Sequence, residues 1–97
     1  MESAWDSLLD LLERLATDSA LAIDAQTELR FATLATQAVA DGTIDRELHV
    51  PDIARWLCGL AVAHRAVRAS HPESDPDGDL GPLRVIATRW LHPARPR

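Results

Sequence analysis

The residues best equipped by type for chemistry are an acidic run, Asp75-Pro-Asp77-Gly-Asp79, four histidines and a single cysteine, Cys58. Alternating carboxylates open calcium loops of the EF-hand type, which also need Gly at the sixth position and a bidentate carboxylate at the twelfth. Those positions here are Leu80 and Ile86, so the run reads as a solvated acidic turn. His64 and His71 are seven residues apart and share a helix face only if one helix reaches His71, while Cys58 and His64 point in different directions. Without a short-spaced pair of ligands, no metal site is expected. There is no Gly-x-Ser-x-Gly elbow, no phosphate-binding glycine loop and no dinucleotide fingerprint. Cys58 lies in an apolar helical pattern, where a buried thiol is inert. No catalytic residue and no cofactor are implied, and the chain is not expected to be an enzyme.

The aromatic residues allow two readings. Trp5, Phe31 and Trp56 can line a small-molecule cavity or simply fill a core. His64 and Arg65, on a mostly apolar helix, can anchor a ligand inside such a cavity or lie at its surface.

Four helices must position these groups. The first covers about 4–16, with Ser3 as cap, Asp6 as its partner in a box-like start, and an Asp10–Arg14 pair. Its apolar stripe is Trp5, Leu8, Leu9, Leu12, Leu15 and Ala16, widened by Leu11. Helix two spans about 25–40, capped by Asp24, with Phe31, Leu34, Ala35, Ala38 and Val39 on one face and a stop at Asp41-Gly42. Ile44 and Leu48 of the connector turn inward. Helix three, about 51–70, opens on Pro51 and Asp52. It carries a stripe of Ile53, Trp56, Leu57, Leu60, Ala63 and Val67, a second arc of Ala54, Cys58, Ala61 and Val62, and a row of small residues at Gly59, Ala63 and Ala66. So apolar a helix is buried on more than one side, and the small row admits a second helix at close range. Helix four, about 82–91, presents Leu83, Ile86, Ala87, Trp90 and Leu91, with Leu80 and Val85 spaced as a hydrophobic staple. Residues 92–97 should fray. The expected fold is an all-α, small antiparallel bundle forming a single domain over 1–97.

The chain's 97 residues suit one such domain. Its formal charge of −5 argues against nucleic-acid binding, which rests on a basic face. Residues 1–30 hold seven acids and two arginines, and residues 80–97 four arginines and no acid; solvated helix faces account for this asymmetry. One cysteine excludes an internal disulfide and fits a reducing cytoplasm. No signal peptide or membrane span is visible.

One stretch is specific enough to carry a resemblance. Thr33–Ala63, TLATQAVADGTIDRELHVPDIARWLCGLAVA, joins a helix, an Ala-x-x-Asp-Gly stop, a polar connector and a Pro-Asp helix start. With SAWDSLLDLLERLATDSALA before it and LGPLRVIATRWL after, it resembles the C-terminal regulatory domain of TetR-type transcriptional regulators. The resemblance implies a bundle whose first three helices enclose an apolar effector and whose last two pair two subunits. The implied pocket residues are Trp5, Leu9, Leu12, Phe31, Leu34, Trp56, Leu60 and His64. The implied dimer seam is Gly59, Ala63, Ala66, Val67, Ile86, Arg89 and Trp90. DNA would be read only through an N-terminal helix-turn-helix domain that this chain lacks, as an excised or truncated product would. The alternative is a stand-alone helical interaction or dimerisation module.

Overall fold

The computed structural model describes residues 2–73, 75 and 80–93, and among them it is built from helices alone. The order is α1 (Ala4–Thr17), α2 (Ala25–Ala40), α3 (Val50–Ser70) and α4 (Leu80–Leu91). Each start and stop has a local cause. At α1, the Ser3 hydroxyl accepts from the Asp6 amide at 3.1 Å and donates to the Asp6 carboxylate. At α2, Asp24 accepts from both the backbone and the hydroxyl of Thr27. Gly42 then takes φ 85°, the left-handed conformation that costs glycine least, and the amides of Thr43 and Ile44 fold back onto the Ala38 carbonyl. Pro51 stands in the first turn of α3, where a missing amide hydrogen is harmless.

The first three helices pack closely on one another, and α4 joins them more loosely. Their shared interior holds Leu8, Leu12, Phe31, Ile53 and Leu57, all with essentially no solvent exposure, together with Ile44 from the α2–α3 connector. Ile44 and Leu48 do turn inward, Leu48 only partly. α4 contributes Leu83, Ala87 and Leu91. Its far end is tied down twice, by the Asp45 amide donating to Leu91 O at 2.8 Å and by His92 Nδ1 on Thr43 O at 2.7 Å. Trp5 lies against the His92 ring at a centroid distance of 4.4 Å.

Several expectations change. The buried stripe of α3 is Ile53, Ala54, Leu57, Ala61 and His64, so Trp56, Ala63 and Val67 lie outside it. The helix is apolar around most of its circumference, and periodicity alone could not say which arc faces inward. Leu80 is the first residue of α4, and Val85 is half exposed, so the two form no staple. His92 does not fray, because its ring is clamped between Thr43 O and Trp5. The remaining tail, 94–97, lies outside the described residues, as do Asp77, Gly78 and Asp79 of the acidic run.

Candidate functional site

The side of the bundle where α3 and α4 lie together is apolar and open to solvent. Trp56 is 63 % exposed, Ile86 52 % and Val67 51 %. Val62 and Val85 are about half exposed, and Gly59, Ala63 and Ala66 also face outward. Two shallow grooves run along this surface. Trp56, Leu60, Ile86 and Trp90 line one of about 280 Å³. Leu60, Ala63, His64, Val67, Pro82, Leu83 and Ile86 line the other, of about 210 Å³. Leu60 and Ile86 belong to both, so the grooves are continuous and follow an antiparallel pair of helices.

Neither groove has a charged side chain in its lining. Arg65 lies within the α3 span but turns to the other side of it. Its Nε donates to Leu15 O at 2.7 Å, and its Nη2 donates to Asp18 O and Leu21 O, each at 2.9 Å. Those carbonyls belong to the last turn of α1 and the loop after it, where acceptors lack helical partners and a cation is favourable. The adjacent His64 places Nδ1 3.1 Å from Ala16 O. Arg65 and His64 therefore hold the end of α1.

Gly59 has no task within the chain. A methyl group built on it would meet only the edge of the Trp56 ring, at 4.0 Å. Glycine inside a helix costs about 0.5–1 kcal/mol relative to alanine. Nothing inside this fold returns that cost.

The residues assigned to an effector pocket are dispersed. Leu12 and Phe31 are wholly buried as packing in the interior. Leu34 edges an open, polar cleft with Asp10, Arg14, Arg30 and Thr33, while Leu9 edges another with Glu13 and Arg84. Trp5 is taken up by His92. Trp56, Leu60 and His64 belong to the α3–α4 surface. Of the residues assigned to a dimer seam, Ala63, Val67, Ile86 and Trp90 line the two grooves, while Gly59, Ala66 and Arg89 are exposed on the same two helices. Reading the sequence placed Trp56 and Leu60 among the pocket residues, whereas both line the outer groove. Their stripe was visible; its direction depends on where α1 and α2 dock.

Elsewhere the surface is ionic and locally satisfied. Arg84 of α4 makes a fork-like ion pair with Glu13 of α1, and that contact raises the guanidinium pKa further. Hydrogen bonds from Thr27 to Asp24 and from Thr43 to Asp41 hold both carboxyls below the usual carboxylate range. Burial pushes the Cys58 thiol up, with smaller contributions from Glu28 and Asp24, so it is a poor thiolate at neutral pH. Among the described residues, no group of three or more His, Cys, Asp or Glu side chains is placed to hold a metal ion. No helix among them is long and apolar enough to cross a membrane.

Compared with protein-family models, curated proteins and solved structures, the chain matches none.

Proposed function

We propose that this chain is a non-catalytic homodimerisation module that pairs through the outer face of α3 and α4. In that role it would act as the regulatory end of a TetR-like bacterial regulator in a reducing cytoplasm. The observation that carries the pairing is the pair of continuous apolar grooves lined by Trp56, Leu60, Ala63 and Val67 of α3 and Pro82, Leu83, Ile86 and Trp90 of α4, with no charged side chain in either lining. Exposed apolar patches of this kind mark interaction surfaces. A second copy suits these grooves because a two-fold axis sets the same patch against itself, so apolar lining meets apolar lining. Gly59, Ala63 and Ala66 form a shallow row beside Trp56 and Leu60, and such a row lets two α3 helices approach closely. A stable interface needs about 800 Å² from each partner. Two helices of 21 and 12 residues present a face long enough to supply it.

The effector half of the resemblance draws less support. The space between α1, α2 and α3 is occupied by Leu8, Leu12, Phe31, Ile53 and Leu57. The pairing surface is common to the regulator domain and to the stand-alone module, so pairing is the firmer part of the proposal. Light scattering over a concentration series tests it. The wild-type chain should approach twice the monomer mass, and Ile86→Asp should hold it at monomer mass with an unchanged helical spectrum. A wild-type chain that stays monomeric throughout the series would sink the proposal.

A further inference from the structure

The smaller groove between α3 and α4 has a buried histidine in its lining, and one nitrogen of that ring has nothing to bond. His64 is only 6 % exposed, and its Nε2 is shut off from solvent without a hydrogen-bond partner. The other ring nitrogen determines what Nε2 can accept. Nδ1 lies 3.1 Å from Ala16 O, and a carbonyl oxygen only accepts, so Nδ1 carries the hydrogen. In a neutral imidazole of that tautomer, Nε2 is an acceptor and needs a donor. A buried acceptor left unmatched is costly, and native structures rarely tolerate one without a reason. The rest of the groove offers it no donor, since the walls are Leu60, Ala63, Val67, Pro82, Leu83 and Ile86.

We infer that this groove is a binding site for a small apolar molecule carrying one hydroxyl donor, of the alkylphenol type, with His64 Nε2 accepting its hydrogen bond. The shape fits that chemistry. A space of about 210 Å³ is well above the ~10–15 Å³ that one water needs by the same kind of measure. One aromatic ring with a short substituent fits it, and the lining offers that body only apolar contact apart from the histidine. Small-molecule sites combine an apolar body with a few placed polar groups in this way. The occupied site couples to the fold as well: the same ring holds the end of α1 through Ala16 O, so a ligand on Nε2 would bear on the α1–α3 junction. The site differs from a pocket enclosed by α1, α2 and α3. It lies under the proposed pairing face, and a partner copy would close its mouth, but the inference does not require pairing.

The test compares 4-ethylphenol with its methyl isostere, 4-ethyltoluene, on the full 97-residue chain. Affinities come from NMR titration, with the ¹⁵N shift of His64 Nε2 followed in histidine-labelled protein. Sedimentation of the same samples reports pairing separately. The phenol should bind about two- to tenfold more tightly than the isostere, the worth of one hydrogen bond, and its binding should move the Nε2 resonance. His64→Phe should abolish or invert that preference. Because His64→Phe also removes the Nδ1 contact to Ala16 O at the end of α1, the wild-type Nε2 shift stands as an independent reading. Tighter binding of the more apolar isostere, binding of neither compound, or binding without an Nε2 shift would overturn the inference. So would an Nε2 shift that follows protein concentration alone, because the donor would then come from a second copy.

Discussion

The two outer sides of this bundle are built from the same kind of element and treat water in opposite ways. Along α1 and α2 the exposed positions include Asp6, Asp10, Arg14, Glu28, Arg30, Thr33 and Gln37, with Leu29 as the large apolar exception. Along α3 and α4 the exposed positions include Arg55, Arg84 and Arg89 but also a group of large apolar side chains, Trp56, Val62, Val67, Val85 and Ile86. A lone exposed leucine is ordinary on a protein surface, whereas a contiguous apolar strip is not. Both sides cover buried side chains, Leu8, Leu12, Phe31 and Ala35 from α1 and α2 and Ile53, Leu57, Leu83 and Ala87 from α3 and α4. The contrast separates what the fold needs from what a partner or ligand needs. Arg65 is turned away from the apolar side to secure α1, while His64 lines the smaller groove and reaches Ala16 O through Nδ1.

The contrast can be broken in graded ways. The largest losses should come from the shared interior, irrespective of the side it supports. Phe31→Ala should lower unfolding free energy by about 3–5 kcal/mol and Leu57→Ala by about 2–5 kcal/mol in urea titrations. A domain of this length has only about 5–15 kcal/mol in total, so either change should leave a marginal fold. Next come the two faces. Trp56→Asp should weaken self-association by at least about thirtyfold, as loss of a central aromatic anchor does. Its effect on monomer stability should stay within about 0.5 kcal/mol. Leu29→Asp, the matched change on the polar side, should alter neither quantity.

A smaller effect is expected where the two sides are joined. Arg65→Ala removes the guanidinium hydrogen bonds to Leu15 O, Asp18 O and Leu21 O, of which Asp18 O keeps the Leu21 amide, and should cost about 1–3 kcal/mol, read by thermal melting. The least effect lies in the helix caps. Asp24 and Asp41 are held below the ordinary aspartate range in the folded state because Thr27 and Thr43 donate to them. Their contribution is therefore fully present above the unfolded value and is lost as pH falls through the lower, folded values. Asp24→Asn should flatten the acid limb of a stability–pH curve below about pH 4 and leave the neutral plateau nearly unchanged.

The elements themselves were legible in the sequence because their signals are local. Ser3, Asp24, Gly42 and Pro51 each act within one turn of chain, and they mark helix ends within a residue or two of those observed. Ile44 was equally readable, as an isolated apolar residue in a polar connector. Facing was not, wherever a helix is apolar nearly all round. On α3, Ile53 and Leu57 turn inward while Trp56 and Val67, one or three positions out of phase, turn to solvent. That choice is made by α1 and α2, through contacts nearly fifty residues away in sequence, such as Arg65 to Leu15 and His64 to Ala16. The pocket residues inferred from the resemblance scatter for the same reason. The seam residues stay together because the small row at Gly59, Ala63 and Ala66 is a property of one helix.

An isotope-filtered NOE experiment on a mixture of labelled and unlabelled chains tests the pairing claim most directly, since it sees only contacts between copies. Pairing through α3 and α4 predicts intermolecular contacts from the indoles of Trp56 and Trp90 to methyls of Leu60, Val67 and Ile86, and none involving Leu29 or Leu34 of α2. A chain that is still monomeric at about 1 mM, where even a 4 kcal/mol association would show, would contradict it, and so would contacts made through the α1–α2 side.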